Sequence, residues 1–560
     1  MRSTRRQFAK AAGGLLVARG LAMSRELACE IAVIGGGTGA CAAALAAARN
    51  GRRVILTEET GWIGGQLTSQ AVPPDEHAWI ESFGCTRSYR DYRDRVRDYY
   101  RRNYRLTEEA RRVLELNPGN GRVSHLTHEP RASLAVLEEM LAPFISGGQV
   151  IVLLRHQPVA ASSAGDRIRT VTLRDLETGC DRTISASFFL DATEQGDLLP
   201  LAGVEYVTGA ESSRETGEPH APAEARPANL QAFTYCFAMD YLPGEDHRIE
   251  KPAEYEYWRS YVPDLRPAWP GKLLSWTVTD PISLAPRTHP FDPEYDVHNA
   301  DGGLWLYRRI ADRRNFARGA YASDICLVNW PQNDYWLGNI CEVSQEEAVR
   351  HRARAKQLSL SLLYWMQTEA PRRDGGAGWP GLRLRHDITG TEDGLAMRPY
   401  IRESRRIRSE FTVLEQHVGT EARRQATGKA AGELTAAHFD DSVGVGSYRI
   451  DLHPASGGEN YIDISSLPFE IPMGALIPRR VENLLAAAKN LGVTHITNGC
   501  YRLHPVEWNT GEAAALLATQ SIQLRTEPRR IRNNRKLRAE FQDWVQTHGV
   551  EIAWPKLTPR

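Results

Sequence analysis

The sequence predicts an α/β chain in which a parallel, Rossmann-like sheet with a β-meander is interrupted by an α+β domain. Three stretches carry this prediction. Glu30–Glu59 reads as strand, glycine turn, helix and strand. Phe188–Leu198 is an apolar strand that runs into an acidic turn. Leu484–Gln520 is a closing strand followed by a helix. Alternation of strands and helices of these lengths is the pattern of a sheet covered on both faces.

The first stretch is the most specific. Glu30–Ile34 is short, continuous and β-branched, as a doubly covered strand is. Gly35, Gly37 and Ala40 then supply G-x-G-x-x-A, with Thr38 and Gly39 inside the turn. The first glycine permits the tight turn, the second lets backbone approach a pyrophosphate, and Ala40 keeps the helix close to the sheet. Ala40–Asn50 is an alanine-rich helix that Gly51 can cap. Its N-terminus suits a diphosphate. Val54–Leu56 is the second strand, and Glu58, 23 residues after Gly35, stands where a ribose-binding acid belongs. A βαβ unit without a nucleotide would share the glycine turn, but strand, glycines, helix, strand and acid in order favour a dinucleotide. Gly64, Gly65 and Gln66 follow directly and add a second glycine pair for close backbone approach.

Composition bounds the rest. The chain has 560 residues, 42% of them hydrophobic and 25% charged, enough for two or three domains. Lys+Arg and Asp+Glu are both 69, so net charge gives no reason to expect a nucleic acid partner. The eight cysteines show no C-x-x-C pair, which argues against a disulfide scaffold or a zinc site, and no metal ligand is assigned. No run reaches the roughly 20 apolar residues of a membrane span.

Further along, Phe83–Leu116 reads as an Arg- and Tyr-rich amphipathic helix with a solvated, salt-bridged face. Ala132–Ala142 is a helix, and Val150–Leu154, Ile168–Leu173 and Arg182–Ile184 are strands of the meander. Asp191, Ala192 and Thr193 end the strand Phe188–Leu190. Trp330 and Asn333 lie in an aromatic and amide cluster suited either to a polar ring or to a buried turn. Arg402 and Arg405 lie in an arginine-rich stretch that either clamps a carboxylate or forms a salt-bridged surface. Ser442–His453 has glycines but no βαβ unit around it, which argues against a second nucleotide domain. Leu484–Ala488 leads to Asn490, and Val506–Gln520 is a helix containing Gly511 and Glu512.

In order, the first fingerprint, the glycine pair, the Asp-Ala-Thr re-entry, the Arg402–Ile407 stretch and the closing helix resemble bacterial FAD-dependent oxidoreductases, including proteins named as xanthan-lyase-associated. Glu194 replaces a glycine usual in the D-A-T-G turn of such proteins. The resemblance covers nearly all residues after Cys29. It implies non-covalent FAD on a glutathione-reductase- or fumarate-reductase-type domain and a small-molecule substrate. It leaves the electron acceptor open between oxygen and a quinone. The implied division places the FAD domain at 29–75, 128–204 and 466–525, a helical insertion at 76–127, the substrate domain at 205–465 and a helical tail at 526–560.

A flavin enzyme needs a donor C–H near the flavin and often a base. In similar folds the closing helix overlooks the flavin, so His504 is the first candidate base, with His495 and Tyr501 next. Arg502 could place a substrate anion. His453 and His128 are expected to be structural. The resulting reading is an FAD-dependent oxidation of a polar alcohol or amine, sugar-derived in one version. A redox-neutral isomerase or lyase and an exported flavin-containing binding protein are the rivals. Ser3–Lys10, with Arg5 and Arg6, resembles a twin-arginine export signal with Ala9 where leucine is usual. Residues 1–28 are therefore expected to direct export to the periplasm or beyond, with a cytoplasmic location as the alternative.

Overall fold

The computed structural model describes residues 26–295 and 302–555. The twin-arginine stretch lies outside the described residues. Strand β1 (Glu26–Ile34), helix α1 (Thr38–Arg49) and strand β2 (Val54–Glu58) form the first unit. Ile31–Ile34 are fully buried because both faces of the sheet are covered. Helices α2 (Arg87–Asn103) and α3 (Pro130–Ser146) follow. They lead into β3 (Val150–Leu154), β4 (His156–Ala164), β5 (Arg167–Asp175) and β6 (Asp181–Asp191). The sheet order is β3-β2-β1-β6-β5-β4. β1 pairs in parallel with β2 and with β6, with Ile34 opposite Asp191. β4, β5 and the first half of β6 form the antiparallel meander. Along β6, Asp181–Ser185 pair with β5 on one side while Thr183–Asp191 pair with β1 on the other.

Helix α2 has the salt-bridged, solvated face expected of it, with Arg95 on Asp91, Arg101 on Asp98 and Arg102 on Glu139, but two of its arginines turn inward. Tyr89, Tyr92, Val96 and Tyr100 are buried at helical spacing, and Arg93 and Arg97 are buried with them. Arg93 reaches Glu76 at 2.9 Å and Arg97 reaches Glu81 at 2.6 Å. Burial opposes the charge on Glu81, yet its two arginines hold its carboxyl down at about 2.

A second apolar core draws on residues 232–395 and Tyr461. Its sheet runs β8-β9-β7-β10, with β7 (Phe237–Tyr241), β8 (Arg309–Ala311), β9 (Ile325–Val328) and β10 (Leu382–Leu384). Helix α4 (Gln345–Thr368) covers it, started by a capping box between Ser344 and Glu347.

The chain returns through β11 (Ser442–Gly446), β12 (Ile450–Leu452) and β13 (Phe469–Pro472). β14 (Leu484–Ala486) then joins β6 in parallel. The short α5 (His495–Tyr501) precedes α6 (His504–Leu524), which begins at His504 with Pro505 in its first turn. α6 crosses α1 at very short range: a Cβ on Gly511 would lie 1.9 Å from the Gly39 carbonyl oxygen. Two tail helices, α7 (Pro528–Asn533) and α8 (Arg535–Thr547), pack against α6. Beyond them Trp554 packs edge-on against His77, Trp79 and Phe83.

Candidate active site

Two concavities stand out, and the first lies at the sheet's carboxyl edge, the place where open α/β sheets bind ligands. The first is a groove along the glycine turn. Gly35 has φ +100°, and a Cβ there would sit 2.3 Å from the Ala192 carbonyl oxygen. Gly64 and Gly65, at φ +111° and +52°, fold back onto this turn. Gly64 N–H donates to the Gly36 carbonyl at 2.7 Å, and Thr38 Oγ1 donates to the Gly64 carbonyl at 3.0 Å. A Cβ on Gly65 would lie 2.8 Å from Gly37 Cα, so the two glycine pairs form one cradle. Ala40 is fully buried in α1 beneath it.

The acids around the groove are unusual. Thr60 N–H donates to Glu58 at 2.8 Å, but burial still pushes that carboxyl up to about 7. Burial does the same to Asp191, also up to about 7, despite the bonds from Thr193 N–H and Oγ1 at 3.1 and 2.7 Å. Asn490 donates to the Asp191 carbonyl at 3.0 Å and so ties the closing segment to β6. Glu194 extends across the cradle to Lys489, which also lies 3.6 Å from Glu507. Gln66 bonds the Arg502 carbonyl at 3.0 Å and the Glu507 carboxylate. Both polar atoms of Gln70, on the groove wall, are buried without a hydrogen-bond partner among the described residues. The glycine cradle, the acid beside Gly36 and this unsatisfied amide fit a dinucleotide.

The second concavity is a cavity of about 660 Å³ between the second core and the returning segments. Trp330, Arg402 and Arg502 line it. Arg402 Nη2 holds Asp334 at 3.0 Å, and its other amino group donates to the Ala232 carbonyl and Thr234 Oγ1. Arg502 pairs with Asp451 at 2.9 Å and with the Tyr400 hydroxyl at 2.6 Å. Two segments border both concavities. Gly65–Asp75 starts in the groove and ends on the cavity wall, and so does the stretch from Arg398 to Arg402.

Other expected site residues lie elsewhere. Asn333 points into the second core, where its amide bonds Tyr235 O, Ser359 Oγ and the Trp330 N–H. Arg405 joins Asp197 at 3.0 Å to Glu342 at 2.6 Å, away from the cavity wall. Gly511 serves the α1–α6 crossing, and Glu512 bonds Ser88 at the start of α2. Tyr501 donates to the Glu470 carbonyl at 2.6 Å and stacks on Phe469. For His495, burial pushes the imidazole down, and Glu403 at 2.9 Å outweighs it and raises it. His504 is fully buried off the cavity wall; Asp75 N–H donates to its Nδ1 at 3.1 Å, and burial pushes the ring down to about 3.

His453, expected to be structural, lies on the cavity wall. Its Nδ1 is 2.7 Å from Asp334 and its Nε2 3.3 Å from Asp451. The Tyr461 hydroxyl also bonds Asp334. His128 is buried against Tyr92, in keeping with a packing role. Lys489, Gln70, Asp334, Asp451 and Tyr461 were not singled out by sequence; only Asp451, two residues before His453, offered a local signal.

A sequence model of the family described as FAD dependent oxidoreductase matches residues 30–543. The chain belongs to this family. It is an FAD-binding redox enzyme, and its Rossmann-like sheet is the FAD-binding part. No curated protein sequence matches the chain. Among solved structures, a geranylgeranyl bacteriochlorophyll reductase-like protein from Thermoplasma acidophilum is similar over 94% of this chain and 85% of its own, at 9% identity and a TM-score of 0.34. A glycerol-3-phosphate dehydrogenase from Bacillus halodurans complexed with FAD is similar over 38% of this chain and 40% of its own, at 16% identity and a TM-score of 0.23. A flavin-dependent monooxygenase in complex with FAD and substrate matches 38% of this chain at 13% identity and a TM-score of 0.23; the chain spans about a third, 35%, of its length. Among the described residues, no helix is long and apolar enough to cross a membrane.

Proposed function

We propose that this FAD-dependent oxidoreductase oxidises a small polar organic molecule, an alcohol or an amine such as a sugar derivative, held in the 660 Å³ cavity. The observation that carries this reading is the shared wall. Segments 65–75 and 398–402 run from the glycine cradle to a cavity whose surface mixes Trp330, Tyr400, Arg402, Arg502 and Asp451. Aromatic faces beside charged and amide groups suit a molecule with both C–H faces and hydroxyls or amino groups. Gly35, Gly37, Gly65, Glu58 and Gln70 would hold the dinucleotide. Bound FAD supplies a two-electron acceptor at N5 for the substrate's hydride. The antiparallel meander β4-β5-β6 joined to the parallel sheet supports a glutathione-reductase-type FAD domain.

The test is an anaerobic panel of hexoses, hexose acids, amino sugars and simple alcohols mixed with the FAD-loaded protein. Bleaching of the flavin band by one chemical class is the expected result. Product formed with neither reduced flavin nor consumption of an acceptor would refute oxidation. A flavin that even dithionite cannot reduce would leave only a binding role. We further propose, from Arg5 and Arg6, export by the folded-protein route; changing both to Lys should retain the protein in the cytoplasm, and unchanged fractionation would refute it.

A further inference from the structure

We propose that His453, oriented by Asp334, accepts the substrate's O–H or N–H proton at Nε2. The proposal rests on the alcohol-or-amine reading above. Three histidines line the cavity: His77, His289 and His453. His77 is committed to backbone, with Gly84 O at 3.0 Å from Nε2 and Trp79 N–H donating to Nδ1 at 3.2 Å. Of the three, only His453 has a ring nitrogen bonded to a buried carboxylate among the described residues. Asp334 is fully buried and bonded by Arg402, Thr234 and the Tyr461 hydroxyl, which fix its position. Asp334 in turn fixes Nδ1 at 2.7 Å. This is the arrangement in which a carboxylate sets the tautomer of an imidazole and stabilises the cation it forms.

The other ring nitrogen faces a second carboxylate, and the substrate's O–H or N–H must take that carboxylate's place at Nε2. Nε2 lies 3.3 Å from Asp451, whose carboxylate Arg502 holds at 2.9 Å on the same wall. The charged and titratable groups facing the ring are thus Asp334, Asp451 and Tyr461, with Arg402 and Arg502 behind the carboxylates. The step balances. The substrate C–H bond breaks with its electron pair, which leaves as hydride to FAD. The O–H or N–H bond breaks with its proton passing to Nε2, and the pair left on the heteroatom closes the C=O or C=N bond. Asp334 is a positioning residue in this step.

Two measurements on the FAD-loaded protein test the proposal. The first needs no substrate: limited carbethoxylation with diethyl pyrocarbonate, mapped by peptide mass. His453 should be modified and the buried His495 and His504 should not. An unmodified His453 under conditions that modify His438, whose side chain is 72% exposed, would overturn the proposal. The second uses whichever panel compound reduces the wild-type flavin. His453→Asn keeps a polar atom towards Asp334, so FAD content should be unchanged while flavin reduction slows by roughly 10²–10⁴ with KM within about threefold. Added imidazole should restore part of the rate in His453→Ala. Reduction at near wild-type rate in both variants, or loss of FAD from both, would overturn it. If no panel compound reduces the wild type, the substrate reading fails while the modification result still decides whether Nε2 is presented.

Discussion

At the residue scale, single atoms set the cofactor site. A Cβ on Gly37 would lie 2.8 Å from the flexible end of Glu194, and a larger side chain there would take up space that a diphosphate needs beside the helix N-terminus. Gly37→Val should therefore purify with little or no FAD, read as flavin absorbance per protein; normal flavin content would contradict the assigned cradle. Lys489 is the counter-charge for the buried Glu507 and for the half-buried Glu194. Lys489→Met strands both and should cost about 3–5 kcal/mol, the scale for breaking a buried ion cluster by removing one partner. A thermal midpoint unchanged from wild type would show that the acids are solvated or neutral instead. Gly35, Gly37 and Glu58 were legible in the sequence because their roles depend on spacing along one βαβ unit. His453 was not, because its orienting partner Asp334 is 119 residues away. No local pattern encodes a pair brought together by tertiary folding. His504 was favoured from its place before the closing helix; there its ring is fully buried and its Nδ1 accepts from the Asp75 N–H.

At the element scale, the α1–α6 crossing is built from missing side chains. Gly39 faces the Ala487 carbonyl, where a Cβ would sit 2.0 Å away, and Gly511 faces Gly39. Gly511→Leu should destabilise the protein by more than the about 1–3 kcal/mol typical of overpacking, because backbone rather than a flexible side chain must move. Denaturant unfolding would measure it, and a loss below about 0.5 kcal/mol would mean the helices slide apart freely. The strong elements were readable: β1, α1, β2 and α6 have long, consistent patterns. β4 was missed because Pro158 and its alternating exposed residues hide a strand whose partner is the neighbouring β5. The second core was hardest, since β7 pairs with β10 across more than a hundred residues of chain.

At the scale of the whole molecule, Glu218 lies between the region after β6 and the returning segment at α5. Thr494 Oγ1 and Glu415 N–H donate to it at 2.6 and 2.8 Å, and burial pushes its carboxyl up to about 7. A raised acid holds its proton longer in the folded state. Its contribution to stability is therefore complete below about pH 4.3, the unfolded glutamate value, and is lost as pH rises towards about 7. The thermal midpoint of wild type should fall more steeply across this window than that of Glu218→Gln. Equal slopes in the two proteins would place the titration elsewhere.

The divided sheet also has a consequence for the order of synthesis. β6 needs β14 beside it, and the buried alanine face of α1 needs α6 over it. Both partners emerge from the ribosome more than 400 residues after α1, as their positions at 484–486 and 504–524 require. The cavity wall is tied down later still, when Trp554 reaches His77 and Trp79. The nascent chain must therefore carry an open, apolar half-sheet through most of translation, and the FAD groove can close only near its end. A chain stopped at residue 480 should be insoluble or chaperone-bound and free of flavin, as fractionation and absorbance would show.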